Sequence, residues 1–239
     1  MTYCVAMRLS SGMVFLADSR TNAGVDHIAT FRKMHSFCQP GERTLVLMSS
    51  GNLATTQSVL SLLRTRLGHD TPNLFNRDSL FDVAELIGAT VREVISRDNS
   101  RQQSAVDFGC NIIVGGQIRG QDMDLFHVYP EGNFIQATMD TPYFQIGEIK
   151  YGKPIIDRVI NYNTPLEHAV KCALISMDST IRSNLSVGMP LDLLLYRRDD
   201  FSPGEHYDIS DSHPGFQQLR EAWSTGLRQT FSNLPDIPL

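Results

Sequence analysis

Thr2 could serve as a nucleophile once Met1 is removed, because an amino-terminal threonine carries a hydroxyl and a free amine on one residue. A threonine hydroxyl is too weak an acid to attack an amide unaided and needs a base beside it. The α-amine is such a base: its ordinary pKa of about 7.7–8.0 lies near neutrality, and a neighbouring ammonium helps to leave it deprotonated. Lys33 would supply that positive field, and Asp18 would hold Lys33 charged and aimed, since opposite charges in contact favour each other's ionised form. The chemistry implied is acyl transfer from an amide to an alcohol. Taken singly, each residue has a plainer reading: threonine is a common second residue, an aspartate after a strand forms turns, and a lone lysine is a solvated charge. Their order and spacing favour the catalytic reading.

The elements around these residues determine whether they can meet. Tyr3, Val5, Met7 and Leu9 alternate with Cys4, Ala6 and Arg8, the period of a strand, and Ser10-Ser11-Gly12 turns the chain into a second apolar strand, Met13–Ala17. A return strand of similar length ends beside the start of the first, so Asp18 can approach Thr2. After an irregular polar stretch, the spacing predicts a strand over Thr44–Met48, a turn at Ser49-Ser50-Gly51-Asn52 and a helix carrying Leu53, Leu60, Leu63 and Leu67. A second helix is expected over about Leu80–Ser96. Short strands then follow at Ile112–Val114, Leu125–Tyr129, Phe134–Ala137 and Tyr143–Ile146, read as one antiparallel meander, with Gly115-Gly116 and Gly120 as hairpin glycines. Two further helices start near Pro154 and Pro165, the latter with Thr164 as N-cap and Glu167 closing a capping box. A core strand over Leu191–Tyr196, a polar acidic stretch and a terminal helix near 214–232 with a short tail complete the order. With no dividing linker, the expectation is a single domain over 1–239: an α+β, four-layer αββα sandwich of two antiparallel sheets.

The stretch Asp18-Ser19-Arg20-Thr21-Asn22-Ala23-Gly24 resembles the Asp-Ser-Arg-led segment of proteasome β subunits and stands at the matching distance from Thr2. Lys33 and the Ser49-Ser50-Gly51 turn also fall where that family places its lysine and glycine turn. Within the superfamily the whole looks most like Anbu, the bacterial ancestral β-subunit group related to HslV. The resemblance implies the N-terminal-nucleophile hydrolase fold, assembly of many copies as a ring or open spiral, a peptide substrate and an ATP-dependent unfoldase as a possible partner. It matches Thr2 to the nucleophile, Asp18 and Lys33 to its ion pair, and Gly51 to the glycine whose N–H helps to form an oxyanion hole. It places Thr21 and Asn22 along the substrate channel, with Asn22 where threonine is usual, and Ser49 and Leu53 beside the scissile bond. The family's Gly-Ser-Gly segment reads Gly147-Glu148-Ile149 here, so that a carboxylate either contacts the α-amine or faces solvent. Its Asp-x-x-Ser-Gly segment corresponds to Ser183 through Gly188, where Ser183 and Ser186 either hydrogen-bond near the amine or shape a turn.

Composition excludes other classes. The chain has 239 residues, 41% of them hydrophobic, and a formal charge of −5, with no basic run longer than a pair such as Arg197-Arg198. These features argue for a sizeable core and against a nucleic-acid partner. Four cysteines without a CxxC pair and seven scattered histidines give no disulfide framework, metal site or other cofactor site, and His168 reads as a solvated helix residue. No apolar run reaches signal-peptide or membrane-spanning length, which makes a cytoplasmic, non-membrane protein the expectation. The apolar stripe Phe216, Leu219, Trp223, Leu227 and Phe231 is either core or a face buried against a neighbouring subunit. Two rivals to the threonine peptidase stay open: a non-catalytic self-assembling scaffold of the same fold, and an amidase acting on a small molecule or modified peptide.

Overall fold

A computed structural model describes residues 2–22, 28–99 and 107–237. The first strand pair, β1 (Tyr3–Leu9) and β2 (Gly12–Asp18), is an antiparallel hairpin with Leu9 opposite Gly12 and Cys4 opposite Ala17. A three-residue pair follows, β3 (Arg20–Asn22) and β4 (Ile28–Thr30), then β5 (Met34–Gln39) and β6 (Arg43–Gly51). Helices α1 (Leu53–Thr65) and α2 (Leu80–Asn99) lead to β7 (Cys110–Ile118), β8 (Asp124–Val128), β9 (Phe134–Gln136) and β10 (Tyr143–Gly147). Helices α3 (Lys153–Val159) and α4 (Leu166–Ser183), strands β11 (Leu191–Arg197) and β12 (Glu205–Ile209), and helix α5 (Pro214–Ser232) complete the order.

Two five-stranded antiparallel sheets result, ordered β10-β1-β2-β11-β12 and β5-β6-β7-β8-β9. The strand period distributes side chains among three apolar layers. Tyr3, Val5, Met7 and Leu9 pack with α3, α4 and Phe216 of α5, while Cys4 and Ala6 face Met48 and Ile113 across the gap between the sheets. Helices α1 and α2 cover the outer face of the second sheet through Val59, Leu63, Val83, Ile87 and Val91. The protein is therefore an αββα sandwich. Small residues let its sheets approach: a side chain at Gly115 would press on Met13, Phe15 and Leu125.

Local signals explain the helix starts. Asn52 caps α1 by accepting from the Thr55 N–H at 3.2 Å. Ser79 and Asp82 close a reciprocal box at the head of α2, with contacts of 3.0 and 3.1 Å. The box expected from Thr164 and Glu167 does not form. Proline holds the cap position of α4, and Thr164 Oγ1 instead accepts from the Asn161 N–H at 2.9 Å, closing the preceding turn. The expected four-strand meander also needs correction: β10 crosses to the other sheet and pairs with β1, so only β7, β8 and β9 run as neighbours. Terminal helix α5 buries Phe216 in the core and packs Leu219 against it, whereas Leu227 is 50% and Phe231 77% exposed, so the stripe leaves the core toward its C-terminal end.

Candidate active site

The β1–β2 hairpin places Asp18 beneath the head of β1, where it is wholly buried. Its Oδ1 accepts the Tyr3 N–H at 2.9 Å and the Lys33 ammonium at 2.6 Å, while Oδ2 accepts the Gly188 N–H at 3.3 Å. The first two contacts, sharing one oxygen, bound the separation of Lys33 Nζ from the Tyr3 nitrogen at about 5.5 Å, one residue from Thr2. Lys33, itself buried, also donates to the Arg20 carbonyl at 2.7 Å. Burial pushes the Asp18 carboxyl up from its ordinary range, against the pull of the Lys33 charge and of the Tyr3 and Gly188 N–H donors. Such a pair holds only if its polar groups are partnered, and here the main chain of three separate segments partners it.

Thr2 is half-buried and held from the other side by β10. The Glu148 N–H donates to the Thr2 carbonyl at 2.7 Å, and Gly147, at φ +86°, packs so closely that a Cβ would overlap that oxygen. Glu148 does not face solvent: its carboxylate accepts from Asn184 Nδ2 at 2.8 Å and lies 3.4 Å from Lys150 Nζ. Thr2 and Lys33 open onto a single cavity of about 940 Å³, lined also by Ser49, Gly51 and Leu53. Ser49 is buried and donates its N–H to the Lys33 carbonyl at 3.0 Å. Gly51 ends β6 at φ +106°, where a side chain would overlap the Gly109 carbonyl; the backbone is thus bare beside Thr2.

Thr21 and Asn22 lie on β3, opposite Ala29 and Ile28 of β4. Ser183 is the exposed last residue of α4, and the Ser186 N–H donates to Asn184 Oδ1 at 2.9 Å. Among the described residues neither serine hydrogen-bonds to Thr2. Sequence reasoning missed the partners that hold the site together: Tyr3 through its amide, Gly147, and the Arg20–Gly188 contact. Arg20 Nη1 donates to the Leu185 carbonyl at 2.8 Å, and a Cβ at Gly188 would collide with its guanidinium. The glycines were visible signals, but their neighbours lie about 145 and 170 residues away in the chain.

Two facing antiparallel sheets, covered by helices and carrying a buried lysine–aspartate pair at the head of the first strand, are those of a proteasome-type subunit. The chain belongs to the proteasome subunit family, whose model matches residues 2–192. Its similarity within that family is to Anbu, the ancestral β-subunit. It is 61% identical to Anbu from Yersinia bercovieri, covering 99% of this chain and 100% of that one, with a TM-score of 0.94. A helical assembly of the Anbu complex from Pseudomonas aeruginosa is 53% identical over 99% and 98%, TM-score 0.96. Anbu from Hyphomicrobium sp. strain MC1 is 49% identical over 99% and 100%, TM-score 0.92. No curated protein matches the chain.

Proposed function

We propose that this protein is a threonine-type N-terminal-nucleophile hydrolase that cleaves peptide bonds and works as an assembly of many copies. The observation that carries the reading is the single Asp18 oxygen that accepts from both the amide after Thr2 and the buried Lys33 ammonium. It fixes a positive charge beside the place where the α-amine of a trimmed chain would lie. In the reaction, Thr2 Oγ1 attacks the substrate carbonyl carbon while its proton passes to the α-amine. The field of Lys33 keeps that amine neutral and able to accept it. The negative oxygen that forms is met by main-chain N–H at Gly51, a donor of a kind worth roughly 2.7–4 kcal/mol. The C–N bond then breaks, the leaving amine takes the proton, and an ester on Thr2 remains. Water, deprotonated by the same amine, hydrolyses the ester and regenerates the hydroxyl.

Thr21 and Asn22 would pair by their main chain with an extended substrate, Ser49 and Leu53 would bound the reacting end, and Ser183 and Ser186 would settle the turn behind it. The helical assembly reported for the Pseudomonas protein and the exposed stripe of α5 support a homo-oligomer. Among the described residues no helix is long and apolar enough to cross a membrane. The test is intact mass of protein recovered from its own cells, followed by an electrophile that must capture both the hydroxyl and the amine of a terminal threonine. A form lacking Met1 and labelled at Thr2 is expected. Complete retention of Met1 with no label would overturn the reading in favour of the scaffold.

A further inference from the structure

Helix α1 forms one wall of the cavity beside Thr2, and its stripe Leu53, Thr56, Gln57, Leu60, Ser61 and Arg64 runs away from the Gly51 turn. The charge balance of the cavity is one-sided. Arg32, Lys33 and Arg64 line the cavity, and no acidic side chain is among the described residues that do. Lys33 is committed to Asp18, and Arg32 to Asp192 and Asp208 at 3.4 and 3.2 Å. Arg64 differs. Among the described residues it has no carboxylate partner; its Nη2 lies 3.0 Å from His35 Nδ1, and its guanidinium sits over the Phe37 ring at 5.9 Å.

A guanidinium only donates, so His35 Nδ1 must carry a lone pair and the ring proton sits on Nε2. Burial, then the Arg64 and Arg32 charges, lowers the His35 pKa to about 4, so the ring stays neutral at working pH. The Arg64 guanidinium is thus oriented by an uncharged acceptor and a ring face, with N–H donors left over and, among the described residues, no carboxylate to meet them. His35 lies two residues beyond Lys33, so the guanidinium that it orients opens onto the same cavity as Thr2.

We propose that Arg64, positioned by His35 and Phe37, is a substrate subsite for a carboxylate, so that the preferred peptides carry an acidic side chain that reaches the far end of the cavity beside Thr2. The inference rests on the peptidase reading for its consequence in cleavage, but not for binding. The bland alternative is that Arg64 merely offsets the negative end of α1, of which it is the last basic residue.

Binding of fluorescein-labelled hexapeptides to the Thr2→Ala protein separates these readings by polarisation. The peptides form pairs differing only by Glu against Gln, one pair for each of the six positions. At one position Glu should bind about tenfold tighter than Gln, as expected for a charge-assisted pair. Arg64→Gln should erase that ratio, and Arg64→Glu should favour a Lys peptide instead. Equal binding of Glu and Gln peptides, no binding of either at millimolar concentration, or a ratio that survives Arg64→Gln would each overturn the subsite. The same peptides offered to the trimmed parent protein keep the two readings apart. Cleavage without acidic preference defeats the subsite alone, and acidic preference in binding without cleavage or trapping defeats the peptidase alone.

Discussion

At the scale of single residues, the site depends on groups that are costly to bury singly and acceptable together. Lys33→Met removes the ammonium and leaves a buried Asp18 carboxylate with only two N–H donors. A loss of about 3–5 kcal/mol is expected for one partner of a buried pair. Adding Asp18→Asn should recover a large share of that stability in urea unfolding, while peptide cleavage stays abolished in both variants. Recovery of cleavage in the double variant would show that the charge plays no electrostatic part. Gly147→Ala tests the other side of Thr2. At φ +86° and against the Thr2 carbonyl, the added methyl should displace Thr2, cost about 1–3 kcal/mol in backbone strain and slow electrophile labelling of Thr2 more than tenfold. Labelling at the parental rate would deny Gly147 that positioning role. Gly51 is matched through the family resemblance, whereas the approach of Asp18 to the head of β1 could be read from the chain because hairpin geometry is local. The holding contacts of Gly147, Arg20 and Gly188 could not, because each depends on a partner brought in by the fold.

At the scale of elements, apolar patterning carried the reading wherever a strand or helix is buried. Thus β1, β2 and α2 stand where periodicity puts them, and β6 runs on through Ser49, Ser50 and Gly51, where a turn is expected, but the edges escape it. Strand β12 reads Glu-His-Tyr-Asp-Ile and is exposed at four of its five positions, so it carries no core-facing alternation and looked like acidic loop. Strand β5 is similarly mixed, and β10 was assigned to the wrong sheet because its own pattern cannot say which neighbour it pairs with. Helix α5 presents the opposite case: its periodicity is genuine, yet Leu219 and Trp223 are only half-buried and Leu227 and Phe231 are exposed, with Leu234 and Ile237 of the tail also exposed. An apolar band of this extent on an isolated chain marks a contact surface. Leu227→Lys with Phe231→Lys should therefore shift the protein from large assemblies to smaller species in sedimentation velocity, with the far-ultraviolet dichroism of the parent retained. An unchanged sedimentation profile would place the assembly contact elsewhere.

At the scale of the whole molecule, three apolar layers hold the two sheets between helices, and the boundary of this packing contains two histidines that the fold keeps neutral. His35 and His127 both have their pKa lowered to about 4: burial acts on each, and the Arg64 and Arg32 charges add to it at His35. His127 Nε2 lies 3.0 Å from Asn111 Oδ1, which can only accept, so this ring too is a neutral donor. In the unfolded chain both would titrate near the ordinary value of 6.5. Between pH 6.5 and 4 the unfolded state thus binds up to two protons more than the folded state, and stability rises with pH over that window. The stabilisation is complete above pH 6.5 and is lost as pH falls toward 4. Asp18, whose carboxyl is raised, contributes with the opposite sign at acid pH, so the informative quantity is a difference between variants. His35→Gln with His127→Gln keeps an acceptor for Arg64 and a donor for Asn111 but no longer titrates. Urea midpoints of this variant, followed from pH 7 to 4.5, should fall less steeply than those of the parent, by up to two protons in the slope. Parallel slopes would mean that the two rings are protonated as readily in the folded protein as in the unfolded chain.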